Sequence, residues 1–192
     1  STAHYALHGA IAVITLDNPP VNGLSLKLRQ SIKARVDQAA ADPAARAMLL
    51  IGTEKLFCAG ADIREFGSPV GTEPPMVRHL SPFFDEQTKP MVAAIAGPAL
   101  GGGLEIALAC HYRIAAAGAT LGLPEVTLGT VASGGGTQRL PRAIAVEVAT
   151  QMIVNGETLR SEKALELGLI DEIVGGELRA GAIAYVERLI AQ

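Results

Sequence analysis

Short apolar, β-branched runs alternating with helical periodicities restrict this chain more than any other feature. Residues 10–16 form such a run, closed by the turn residues Asp17-Asn18-Pro19-Pro20, and Ala47–Ile51 and Met91–Ile95 are two more, each leading into a glycine-bearing segment. All three read as strands, the second and third of them buried. Between the first two, Leu28, Ile32 and Val36 recur at helical spacing with Lys27, Arg29, Lys33 and Arg35 among them, up to a stop at Ala41-Asp42-Pro43. Strands alternating with helices predict an α/β fold. Further helices are expected at residues 104–110, 147–154, 161–167 and 178–190, with short strands at 113–116, 120–122 and 169–174. Residues 66–90 carry five prolines and several charges. They read as a surface excursion, more mobile than central, with a short helix near 76–87. Residues 124–136 read as turn-rich, and no repeat or linker interrupts the chain, so residues 1–192 are taken as a single domain.

At 192 residues and 49% hydrophobic content the chain has enough apolar surface for one core. A net charge of -3 with 18% charged residues gives no basic surface of the kind that binds nucleic acid or anionic lipid, so neither partner is expected. Residues 5–16 are too short and too interrupted for a signal peptide, and no run of about 18 apolar residues escapes Gly, Pro or charge. Cys58 and Cys110 lack metal-ligand spacing and read as buried free thiols of a reducing compartment. A soluble cytoplasmic protein is the expectation. His4 and His8 fall in a polar N-terminal stretch, His79 in the excursion, and His111 after Cys110. None has a zinc-like partner, so no metal site is expected. Ser25, Ser31 and Ser133 lack the Gly-x-Ser-x-Gly frame of a serine hydrolase.

Three segments could carry chemistry. Phe57-Cys-Ala-Gly-Ala-Asp62 follows a strand and is built of small residues, so it reads either as a plain tight turn or as a place where a ligand meets peptide groups. Gly101-Gly-Gly103 opens onto a helix start, where unpaired amides and the aligned peptide dipoles favour negative charge; close helix packing is the other reading. The dinucleotide fingerprint is not met, because Ile106 stands where a third glycine is wanted. The third segment is a pair of acids. Glu105 sits on an otherwise apolar helix, where a carboxylate is expensive to bury without a task or partner, and Glu125 follows Pro124 among apolar residues and glycines. Either could face solvent, yet beside two amide-rich loops the pair suggests acid/base work at an oxyanion site.

Taken in order, Phe57-Cys-Ala-Gly-Ala-Asp-Ile63, Gly101-Gly-Gly-Leu-Glu105, Leu123-Pro-Glu-Val-Thr-Leu-Gly129 and Gly135-Gly-Thr-Gln-Arg-Leu-Pro141 resemble the crotonase (enoyl-CoA hydratase/isomerase) superfamily. With Asn18-Pro-Pro-Val-Asn22 they look most like the hydratase region of multifunctional β-oxidation enzymes, which join it to a 3-hydroxyacyl-CoA dehydrogenase region. The resemblance implies a spiral of ββα units. It also implies an acyl-CoA substrate whose thioester oxygen meets the backbone amides of Ala61 and Gly102, with Glu105 and Glu125 as the two acids. Retention of both acids implies hydration of 2-enoyl-CoA; isomerisation of 3-enoyl-CoA and a non-catalytic acyl-CoA-binding domain are the alternatives. CoA is expected near Ala59, Asp62, Ile63 and Arg64, with Lys55 as a further basic neighbour, and no cofactor beyond the CoA of the substrate is implied.

Two departures from the family pattern stand out. Ala132 and Ser133 occupy positions usually written proline and glycine, which bears on water placement or acyl preference. The chain also stops at Gln192, with the C-terminal helical region of stand-alone members largely absent. The expectation is therefore a truncated chain or the first domain of a longer protein, with homo-oligomerisation open.

Overall fold

In the computed structural model, which describes residues 2–192, Gly9 at φ 56° turns the chain between two antiparallel strands, β1 (Ala3–His8) and β2 (Ile11–Leu16). β1 stands where a polar N-terminal stretch was expected, and His4 and His8 are exposed on it. Only Ala3 of this strand is buried, so it carries little apolar signal. α1 (Leu26–Ala41) starts at Ser25, whose hydroxyl accepts from the Leu28 amide at 3.3 Å, and it buries Leu28, Ile32 and Val36 as the spacing requires. β3 (Ala47–Ile51) returns beside β2 in parallel.

The proline-rich excursion that follows is more central than expected. It contains α2 (Val77–Asp85), and Leu80 and Phe84, four apart on one helix face, are fully buried in the main core. After it come β4 (Met91–Ile95), β5 (Pro98–Leu100), α3 (Gly102–Ala109), β6 (Tyr112–Ala116) and β7 (Thr120–Gly122). α4 (Gly136–Ala143) was not expected, because its glycine start and internal Pro141 look like turn chemistry. The chain closes with α5 (Val146–Asn155), β8 (Thr158–Arg160), α6 (Ser161–Glu166), β9 (Glu172–Val174) and α7 (Leu178–Ile190). The strand expected over 169–174 is shorter, since Leu169 and Ile170 pack into the core ahead of β9.

The large sheet has the order β1-β2-β3-β4-β6-β9, and every pairing after the first is parallel. Strand side chains alternate between faces, so a strand buried at all five positions needs cover on both. β3 and β4 have it: Met48, Leu50 and Ala93 join the core under α1, while Leu49, Val92 and Ala94 join a second core under Leu178, Ala182 and Val186 of α7. A smaller layer, β5-β7-β8, lies beside the large sheet, and Cys58 bridges to Ala99 at its edge. Each pass through β3, β4 and β6 is thus followed by a shorter pass through the small layer, at Cys58, β5 and β7. That is the expected α/β spiral of strand-strand-helix turns, and it stacks three chain segments so that the residues following each pass come together.

Gly103 is where α3 seats on this layer. A Cβ there would lie 2.3 Å from the Cys58 carbonyl oxygen. Helix propensity alone favours alanine over glycine by about 1 kcal/mol, but backbone cannot yield to so close a contact. Gly103→Ala is therefore expected to lower the urea midpoint; a variant as stable as the parent would show that this seating is not tight.

Candidate active site

The first loop is fixed from the side by residues 21–24. Asn22, buried and at φ 50°, donates from Nδ2 to the Phe57 carbonyl at 2.9 Å, the Ala59 amide donates to Val21 O, and the Leu24 amide to Gly60 O at 2.8 Å. Gly60, at φ 110°, presses on Leu100 O, where a Cβ would come within 3.0 Å. This close approach brings the Ala61 amide alongside Gly102, the first residue of α3, whose own Cβ position is 3.7 Å from Ala61 N. Among the described residues neither amide is used in a backbone hydrogen bond. Two free N–H donors from separate loops therefore converge, one of them at a helix N-terminus.

Glu105 lies one turn further along α3, a helix buried at every residue. Its Oε1 accepts from the amides of Gly134 at 2.7 Å and Gly136 at 2.9 Å, the latter the first residue of α4. Burial pushes its pKa up, opposed by the Gly136 and Gly134 hydrogen bonds and by the Arg139 charge. Charge-assisted bonds of this kind are worth about 1.5–3 kcal/mol each. Gly134 has no room for a side chain, since a Cβ would fall 2.4 Å from Glu105 Oε2.

Glu125 rises from the 3-10 turn Pro124–Leu128 that follows β7. Its Oε1 lies 3.0 Å from where a Cβ on Gly101 would be, and its Oε2 is buried without a hydrogen-bond partner among the described residues. Burial raises its pKa to about 7, and the Glu105 charge adds to the rise. The two acids are therefore close enough to feel one another, and they are held differently. Glu105 has donors suited to an anion, whereas Glu125 has surroundings that favour the neutral acid.

Glu105, Glu125, Ala61 and Gly102 all line one cavity of about 660 Å³. Ala59, Asp62, Ile63 and Arg64 line a second, of about 370 Å³, and Ala61 borders both. Asp62 is buried and grips Arg64 in a fork, Nε to Oδ1 at 2.9 Å and Nη2 to Oδ2 at 2.7 Å; the Arg64 hydrogen bonds hold the Asp62 pKa below its ordinary value. The exposed Arg64 side chain is left with its two Nη1 donors and one on Nη2. Lys55 borders neither cavity. Of the departing pair, Ser133 faces the first cavity while Ala132 is buried in the core. The Gly134 and Gly136 donors lie outside the segments singled out in the sequence, although three consecutive glycines before a helical segment are an available signal, and so does Arg29, which also lines the first cavity.

A family profile described as enoyl-CoA hydratase/isomerase matches residues 7–192. The chain is 49% identical over 164 residues to the peroxisomal bifunctional enzyme of Danio rerio, covering 85% of this chain and 23% of that protein. It is 41% identical over 187 residues to a probable enoyl-CoA hydratase of Bacillus subtilis, covering 95% of this chain and 72% of that protein. The crystal structure of enoyl-CoA hydratase from Bacillus anthracis superposes with a TM-score of 0.88 at 34% identity, covering all of this chain and 77% of that one. The chain thus spans about a quarter of the length of the bifunctional relatives it matches. Among the described residues, no helix is long and apolar enough to cross a membrane.

The raised pKa of Glu125 ties folding to pH. Between its ordinary 4.5 and about 7 the folded protein holds a proton that the unfolded chain has released, so this group's contribution to stability falls as pH rises through that window. In Glu125→Gln, neutral throughout, Tm is expected to decline less between pH 5 and 8 than in the parent. Parallel Tm curves would show that Glu125 ionises as freely in the fold as in water.

Proposed function

Because the chain belongs to the enoyl-CoA hydratase/isomerase family, we propose that it adds water across the C2–C3 double bond of a 2-enoyl-CoA thioester. The observation that carries this reading is the placement of two unlike carboxyl groups in one cavity with two free amides. In the proposed reaction the thioester oxygen accepts from Ala61 N–H and Gly102 N–H. Water attacks C3 as Glu105 takes one of its protons, the double-bond electrons shift toward C2 and the thioester oxygen, and Glu125 gives its proton to C2. The product is a 3-hydroxyacyl-CoA. Passing the proton from Glu105 to Glu125 restores the starting state, so substrate, water and two acids balance the chemistry without a metal or redox group.

Magnitudes support this division of labour. Charge building on the thioester oxygen needs donors already in place, and such donors are worth about 2.7–4 kcal/mol each. A general acid works best with a pKa near the operating pH, which suits a carboxyl raised to about 7. The CoA moiety is proposed to extend over the second cavity, by Ala59, Asp62, Ile63 and Arg64. The name bifunctional, carried by relatives, supports a further proposal: that the product passes to a 3-hydroxyacyl-CoA dehydrogenase region in a β-oxidation sequence. Placement in the cytoplasm is likewise a proposal, set beside relatives named peroxisomal.

The test follows the loss of 2-enoyl-CoA absorbance. The parent is expected to hydrate crotonyl-CoA, with kcat/KM falling as pH passes above about 7 and Glu125 gives up the proton it donates. Glu105→Gln and Glu125→Gln are each expected to lower kcat by about 10²-fold or more. Conversion of 3-enoyl-CoA with 2-enoyl-CoA untouched would assign isomerisation instead. Acyl-CoA binding without turnover would leave a binding domain.

A further inference from the structure

Arg29 is a buried cation that the proposed mechanism leaves unused. Its side chain is 6% exposed and borders the same cavity as the two acids. A guanidinium carries five N–H donors, and all five are engaged within the chain. Nε donates to Pro75 O at 2.7 Å, Nη1 to Leu24 O at 2.6 Å and to Glu65 Oε2 at 3.0 Å, and Nη2 to Val70 O and Glu73 O, each at 3.3 Å. No donor remains for a ligand, so Arg29 serves the protein rather than the substrate.

Four of the five acceptors lie within residues 65–75, which also give the cavity Phe66, Pro69 and Thr72. This segment has little regular structure of its own: the short 3-10 turns Ile63–Glu65 and Pro69–Thr72, with Pro69, Pro74 and Pro75 lacking an amide to donate. Glu65 ties the same wall to the start of α1 by accepting the Leu26 amide at 2.9 Å and 3.1 Å. The position of the wall thus depends on the Arg29 guanidinium together with the Glu65 carboxylate.

We propose that Arg29 is a positioning residue for acyl specificity: its bonds to the carbonyls of 65–75 fix that wall, and the fixed wall admits short acyl chains in preference to long ones. The proposal rests on the acyl-CoA reading above. Arg29 and Glu65 both line the cavity, so on this proposal a longer chain meets the wall or the ion pair, and charged groups gain nothing from methylene contact.

The experiment compares KM and kcat for crotonyl-, octenoyl- and dodecenoyl-CoA in the parent, Arg29→Lys, Arg29→Met and Glu65→Gln. An ammonium offers three donors in place of five and cannot span these carbonyls. Both Arg29 variants are therefore expected to lower the KM for dodecenoyl-CoA relative to crotonyl-CoA by about tenfold, the low end of what a pocket gains from a single methylene. The ratio of kcat values should move less. Glu65→Gln leaves one acceptor oxygen where the carboxylate meets both Arg29 and the Leu26 amide, and is expected to move the KM ratio in the same direction by a smaller factor. A lower Tm in Arg29→Lys with an unchanged KM ratio would overturn the inference, leaving Arg29 as structural support only. Failure of the parent to turn over crotonyl-CoA would instead overturn the hydratase reading, and this inference with it.

Discussion

The buried carboxylate of Glu105 and its two amide donors set the terms for the rest of the structure. An acid on a helix with no exposed face must either stay neutral or be met by donors. Here the donors are the Gly134 and Gly136 amides, so the chain from Gly129 to Gly136 must curl back over α3 with little side-chain bulk. That explains a run of three glycines, one of them at φ 107°, and the absence of space for a Cβ at Gly134. It also explains why α4 starts where it does, with its N-terminus directed at the carboxylate.

The spiral supplies the remaining parts. Each visit to the large sheet is followed by a pass in the small layer, and the ends of these passes deliver Ala61, Gly102 and Glu125 to one place. Small residues are demanded at the contacts between passes, at Gly60 against Leu100, Gly103 against Cys58 and Gly101 beside Glu125. The free N–H groups of Ala61 and Gly102 are thereby left at the cavity, where the proposed reaction uses them as donors. The same geometry crowds two acids together and pushes Glu125 toward neutrality.

The fold class was legible in the residues themselves, while the pairing of Glu105 with Glu125 rested on the resemblance to a family. Apolar runs marked the strands that are covered on both faces, and Glu105 stood out as a carboxylate on an apolar helix. The hidden elements lacked such marks. β1 buries only Ala3, α4 is disguised by glycines and Pro141, and β5 and β8 are three residues long. The excursion looks loose in sequence because its prolines outweigh the Leu80 and Phe84 pair that docks it. Arg29 looks in sequence like the other polar residues of α1, although it lies three and seven residues before Ile32 and Val36 on the buried stripe. A cation in that register is the signal of a buried partner, and the carbonyls it meets are far away in sequence.

Of two neighbouring glutamates, Glu105 meets two amide donors and Glu125 none, and the proposed reaction needs Glu125 to hold a proton near neutral pH. Difference infrared spectra of the carboxyl C=O stretch, recorded across pH 5 to 9 on the parent and on Glu125→Gln, read this directly. A protonated carboxyl band that disappears with a midpoint of about 7 in the parent, and is missing from Glu125→Gln, is the expected result. A parent with no carboxyl band above pH 5, or the same band in both proteins, would contradict the account.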